Sequence, residues 1–274
     1  MVNSFIDEFK RDYLKLYWEK INLSLYGNPV IVYQMPKTGS GSITHSLKKH
    51  GVKNVFHLHE ITPNHHYSKY THEIAKSLYN LILEQHLPVK IITATREPIS
   101  MSVSNFFQQL YSKKGRIYEN ESIRERVNKG NLTISDLIDI FLSSYPHNYA
   151  LKWFDDNVKN IFNIDVYSQT FPKEEGFLWL KNDNIDLITI KSENDDSVKE
   201  KYISELLGLK NFKIERTNVT TEKKFNLSNK YPEFRKEIKL SQEYINYMYD
   251  SEYTKHFYTD TEIDKFKSSW YRKP

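Results

Sequence analysis

Apolar residues recur along this chain in two rhythms. Residues 30–33 (VIVY), 89–94 (VKIITA) and 185–191 (IDLITIK) are short, nearly unbroken apolar runs rich in β-branched side chains. That pattern predicts strands buried on both faces. Residues 52–57 predict a shorter strand of the same kind. Helical spacing fills the intervals. Residues 42–50 follow the first run, and residues 67–86 place Ile74, Leu78, Leu81 and Ile82 on one inward face. The order β-α-β-α-β predicts an α/β fold with a central parallel sheet and right-handed crossovers.

The remaining segments are more helical. Residues 3–24 predict an amphipathic helix with Phe5, Phe9, Leu14, Tyr17, Trp18 and Ile21 near one face. Residues 133–145 and 147–157 predict helices, and residues 198–207 predict another that Gly208 closes. Residues 212–214 predict a late short strand. Residues 112–131 are polar and densely charged, so they read as an insertion or lid loop. The last fifty residues are helical pieces rich in Tyr, Phe and Trp. No internal repeat or low-complexity linker interrupts the 274 residues, which predicts a single domain over 1–274.

Composition narrows the class. Hydrophobic residues make up 39% and charged residues 27%, the balance of a globular chain. Tyr (20) and Phe (15) supply much of the core-forming bulk beside only 4 Met. A net charge of +4 is too small to imply nucleic-acid binding and suits an anionic ligand. With no Cys, disulfides and thiolate metal sites are excluded. The first twenty residues are charged throughout, unlike a signal peptide, and no apolar run reaches the length of a membrane span. These features predict a cytoplasmic protein.

Two segments carry candidate chemistry. Residues 29–42 read PVIVYQMPKTGSGS, a strand that enters a Gly-rich turn and then a helix N-terminus. Backbone N–H groups and the positive helix end converge there, which makes an anion site. Gly39 and Gly41 let the backbone approach a phosphate, while Lys37, Thr38, Ser40 and Ser42 offer charge and hydroxyl donors. The stretch is not a Walker A loop, because its Lys precedes both glycines instead of following them. Residues 87–110 read LPVKIITATREPISMSVSNFFQQL. Arg96 falls just past a strand end, Pro98 opens a helix, and Ser104 lies about two turns into it. An Arg at the end of a parallel strand is a natural fork for a phosphate.

With these two motifs in order, the chain resembles the sulfotransferase superfamily, whose members use 3'-phosphoadenosine 5'-phosphosulfate (PAPS). QMPKTGSGS is similar to its 5'-phosphosulfate loop, and TREPISMSVS is similar to its 3'-phosphate motif. The resemblance implies a P-loop-like three-layer fold with helical C-terminal additions. It also implies PAPS as donor, adenosine 3',5'-bisphosphate (PAP) as product, and no metal. Lys37 would touch the 5'-phosphate and bridging oxygen, with Thr38, Gly39, Ser40, Gly41 and Ser42 around the same group. Arg96 and Ser104 would hold the 3'-phosphate. YPHNYALKWFDDN, NIDVYSQTF, HFYTDTEIDKF and SSWY resemble a bacterial branch described as putative capsular polysaccharide synthesis proteins. That second resemblance implies a carbohydrate acceptor.

A general base is needed to deprotonate an acceptor hydroxyl. NVFHLHEIT offers His57, His59 and Glu60 at the end of the second strand, and alternation puts both histidines on one face. Some uronyl 2-O-sulfotransferases resemble this His-x-His; the resemblance favours His59 as base and His57 as helper, with Glu60 as the alternative. His65 and His66 extend the histidine cluster, but no carboxylate or Cys spacing completes a metal site. In the resembled superfamily a late basic loop contacts the 3'-phosphate or adenine, and the resemblance gives that place to Lys223 or Lys224. The Arg-Lys-Gly ending of cytosolic sulfotransferases is absent; Arg272-Lys273-Pro274 is the nearest match. Two rivals remain, a nucleotide-dependent kinase and a non-catalytic assembly protein of polysaccharide synthesis.

Overall fold

The structure is a computed structural model that describes residues 27–61, 69–112, 116–130, 132–216 and 230–271. The predicted helix at 3–24, His65, His66, Lys223, Lys224 and the terminal Arg272-Lys273-Pro274 lie outside the described residues. The chain forms two compact units. The first draws on Met1–Thr95, Phe154–Gln169 and Gly176–Glu215, the second on Arg96–Trp153, Thr170–Glu175 and Arg216–Pro274.

The first unit is built on a five-stranded sheet of order β2-β1-β3-β5-β4. Its strands are β1 (Val30–Tyr33), β2 (Val55–Leu58), β3 (Val89–Thr95), β4 (Phe177–Asn182) and β5 (Ile185–Lys191). Pairings β1–β2, β1–β3 and β3–β5 are parallel, as the strand–helix alternation predicts. Both faces of β1 are buried. Val30 and Val32 join Ile92, Ile188 and Ile190 against Ile43, Leu47, Ile203 and Leu206 from the helices Ser40–Lys49 and Asp196–Leu207. Tyr33 on the other face meets Phe162 edge-on, and its hydroxyl donates to Asn157 Oδ1 at 3.3 Å.

Four local expectations change. The sheet is not wholly parallel, because β4 pairs antiparallel with β5 across a two-residue turn at Asp183-Asn184. Its signal was present as buried Leu178 and Leu180 alternating with half-buried neighbours, followed by a turn-forming Asn-Asp-Asn run. Residues 212–214 form no strand. The segment is instead strapped down by Glu200, whose carboxylate accepts from Lys213 Nζ at 2.7 Å and Ile214 N–H at 2.9 Å. The helix expected over 67–86 is α-helical over Lys69–Tyr79 and widens to a π-turn at Asn80–Glu84. The helix expected over 147–157 is likewise α-helical at Tyr149–Phe154 before a π-turn at Asp155–Lys159.

The second unit is helical, with an aromatic interior. Phe106 and Phe107 from helix Pro98–Ser112 pack on Phe234, and Phe141 packs on Phe106 and Phe234, with ring centroids 5.1–6.1 Å apart. Helix Ile134–Ser144 opens with a full capping box between Thr133 and Asp136. A fifth expectation changes here: the charged stretch 112–131, read as an insertion or lid loop, carries helices over Arg116–Glu119 and Glu121–Lys129. Asn120 caps the second, left-handed Gly130 ends it, and Ile117 and Ile123 are buried. Trp153 and Trp270 are buried in this unit too, as core side chains.

Candidate functional site

The anion loop forms where β1 ends. Residues 34–39 leave the strand, and helix Ser40–Lys49 begins at once behind Gly39. Two of those residues are left-handed: Lys37 with φ of 70° and Gly39 with φ of 90°. For Gly39 this is ordinary glycine behaviour. For Lys37 it is a strained state, of the kind that concentrates at functional loops. Gly39 is the helix N-cap and supplies no side-chain acceptor. A Cβ built on Gly39 would meet no atom within 4 Å, so the approach to the helix N-terminus is open there.

The loop hydroxyls differ in what they do. Thr38 Oγ1 lies 2.8 Å from Gln34 Oε1 and 2.9 Å from the Met35 carbonyl, so its proton stitches the loop together. Gln34 is fully buried and is the loop's anchor: its N–H donates to the Leu58 carbonyl and its Nε2 to the Ile92 carbonyl. Ser40 Oγ sits 2.8 Å from His57 Nε2. Gly41 and Ser42 lie in the first helical turn.

The sheet brings both histidines to this loop. His57 pairs in register with Val32 of β1, and the His57 and His59 rings meet edge-on with centroids 4.9 Å apart. His59 Nδ1 lies 2.6 Å from the Gln34 carbonyl oxygen. A carbonyl only accepts, so Nδ1 carries the proton and the lone pair is on Nε2, the tautomer a general base requires. Desolvation holds the His59 pKa below its ordinary value, against the raising effects of the Gln34 carbonyl and Glu60. Desolvation, then His59, then Lys48 push His57 down to about 4. The His57 side chain is exposed, and with its pKa below 6.5 the ring is neutral at pH 7. Among the described residues no group of three or more His, Asp or Glu could hold a metal ion.

The second motif belongs to the helical unit. Arg96 is the residue after β3, and Glu97 the residue before helix Pro98–Ser112. The N-terminus of that helix is already satisfied: Glu97 accepts from Ile99 N–H at 2.8 Å and Ser100 N–H at 2.7 Å. The buried Tyr249 hydroxyl donates to the same carboxylate at 2.6 Å, and Glu97 helps drive the Tyr249 phenol far above its ordinary pKa, after desolvation. An anion at this motif would therefore rely on the Arg96 side chain and not on the helix end. Ser104, the other predicted contact, is 8% exposed in the same helix. Lys224 lies outside the described residues. Sequence reading missed Gln34, Glu97, Tyr249 and Tyr253. Of these, only Glu97 had a local signal, an acidic residue directly before Pro-initiated helix.

The fold is thus of mixed α/β class, a mostly parallel five-stranded sheet with helices. Residues 126–259 match the family described as putative capsular polysaccharide synthesis protein (NKWYS). The match begins after both anion motifs and includes Tyr249 and Tyr253. No curated protein and no solved structure matches the chain. Among the described residues, no helix is long and apolar enough to cross a membrane.

Proposed function

We propose that this protein is a PAPS-dependent sulfotransferase of P-loop-like three-layer architecture that sulfates a hydroxyl of a carbohydrate, a capsular or cell-surface polysaccharide. The observation that carries the reading is the juxtaposition at the end of β1 and β2. A strained Lys37 and left-handed Gly39 open onto a helix N-terminus, and His59 bonds the Gln34 carbonyl at the start of the same loop, which fixes its base tautomer. The carbohydrate part rests on the family match over 126–259.

The chemistry is in-line sulfuryl transfer. His59 Nε2 takes the proton of the acceptor hydroxyl as its oxygen bonds to sulfur. The bond between sulfur and the bridging phosphate oxygen breaks, and Lys37 neutralises the charge that develops on that oxygen. The N–H groups of the first helical turn face the same charge. His57 holds Ser40 in place. Arg96 and Ser104 are assigned the 3'-phosphate, and Lys224 a further contact, on the sequence resemblance alone. Metal independence and a cytoplasmic setting belong to the same proposal.

Thermal unfolding with PAP beside magnesium-ATP, on the native chain and on Arg96→Ala, tests it. Ligand at about 100 times its Kd stabilises by roughly 2.7 kcal/mol, which for a chain of this length raises Tm by roughly 5 °C. The expected result is a shift with PAP that Arg96→Ala removes. A shift with magnesium-ATP alone would favour a kinase. No shift with either at saturation would leave the non-catalytic assembly protein.

A further inference from the structure

A buried phenol holds Arg96 by its backbone. Tyr253 Oη accepts from the Arg96 N–H at 3.0 Å and donates its own proton to the Arg96 carbonyl at 2.9 Å. Both polar groups of one peptide residue thus close on one hydroxyl, at the two-residue turn between β3 and helix Pro98–Ser112. Tyr253 is 1% exposed, which strengthens these bonds.

The phenol itself is rigidly placed. Tyr253 lies in helix Glu252–Phe257, which follows helix Gln242–Tyr249 through a tight corner. Ser251 caps the second helix by accepting from Thr254 N–H, and its hydroxyl donates to the Met248 carbonyl at 2.8 Å. Thr254 Oγ1, fully buried, donates to that same carbonyl at 2.8 Å. The Tyr253 ring packs on Phe257, which packs on Phe171. One corner therefore delivers two hydroxyls to consecutive residues, Tyr253 to the backbone of Arg96 and Tyr249 to the carboxylate of Glu97. Helix and strand geometry already fix the residues on either side. What they leave undetermined are the torsions of the two turn residues, and those at residue 96 set the direction in which its side chain leaves the backbone.

We propose that Tyr253 is a positioning residue for Arg96, aiming its guanidinium at the 3'-phosphate of the donor; this rests on the sulfotransferase reading above. It also gives the family-matched segment a task in donor recognition, because the clamp comes from residues 248–254 and the clamped Arg lies outside the match. Planar two-point recognition of a phosphate tolerates little misplacement. A loosened Arg96 should therefore lose the 3'-phosphate while the 5'-phosphate loop keeps its hold.

The test is the ratio of Kd for adenosine 5'-phosphate to Kd for PAP, by calorimetry on the full chain. These probes differ only by the 3'-phosphate. The native chain is expected to prefer PAP, and Arg96→Ala to lose most of that preference. Tyr253→Phe should weaken PAP binding by roughly tenfold, as small misplacements of a recognition group do, with adenosine 5'-phosphate binding unchanged. Tyr249→Phe, which spares the Arg96 backbone, should keep the native ratio. Thr254→Val, which loosens the corner without touching the phenol, should lower the ratio by less than Tyr253→Phe, and it serves if Tyr253→Phe does not fold. A native ratio in Tyr253→Phe or, failing that, in Thr254→Val overturns the positioning role while leaving the function standing. Equal weakening of both ligands also overturns it, because that marks a structural role. No preference for PAP in the native chain overturns both.

Discussion

Lys37 is the position where stability and the proposed chemistry pull apart. Its φ of 70° is left-handed, where a Cβ crowds the following carbonyl at a cost of about 1–2 kcal/mol for an L-residue. Two replacements separate the backbone from the charge. Lys37→Ala removes the ammonium and keeps the Cβ. Lys37→Gly removes both, relieving the strain, but adds unfolded-chain freedom worth roughly 0.5–1 kcal/mol. The difference leaves Lys37→Gly more stable than Lys37→Ala by about 0.5–1 kcal/mol. With a urea m-value of roughly 2–3 kcal/mol/M, the midpoints should differ by about 0.3 M. Circular dichroism suffices as the probe, since the variants differ at one residue and the unfolding of the second unit cancels in the comparison. Both variants should lose PAP binding to the same extent. If Lys37→Ala equals or exceeds Lys37→Gly in stability, residue 37 is not left-handed and the strained-loop argument collapses. If Lys37→Gly binds PAP like the native chain, the lysine charge has no part in the site.

Other perturbations probe the remaining parts. His57 and His59 both have folded-state pKa values below the ordinary 6.5, His57 at about 4, so below pH 6.5 the unfolded chain binds protons that the native state does not. Stability should be fully present above pH 6.5 and fall as the pH drops toward 4. Urea midpoints at pH 7 and 5 measure this, and an unchanged slope in His57→Asn would discount that residue. Glu97→Ala removes two helix-end acceptors and strands the buried Tyr249 hydroxyl, for a loss of roughly 2–4 kcal/mol. A double-mutant cycle with Tyr249→Phe should return a coupling above about 1 kcal/mol, and additivity would disprove the Glu97–Tyr249 bond. Gly39→Ala and Gly176→Ala both place a Cβ at positive φ, but only at Gly176 does it run into side-chain atoms, of Asn194 at 2.6 Å and Lys191 at 2.8 Å. Gly176→Ala should therefore be the more destabilising by thermal denaturation, and the reverse order would contradict the packing there.

Local sequence alone determined the sheet-forming runs, the β1–loop–helix anion site and the helix that starts at Pro98. In each case the deciding forces act between near neighbours: burial of β-branched runs, left-handed Gly39, and proline's fixed φ at a helix start. The pairing of His57 with His59 was legible for the same reason, since strand alternation sets it. Tertiary structure decided what these groups do. That His59 carries its proton on Nδ1 depends on the Gln34 carbonyl of another strand's exit, and that Ser40 meets His57 depends on β2 lying beside β1. The Tyr253 clamp on Arg96 joins residues 157 positions apart in the chain. Periodicity reports which face of an element is apolar, not which distant element covers it, so a single hydroxyl fixing a single peptide leaves no trace in the spacing of the residues that make it.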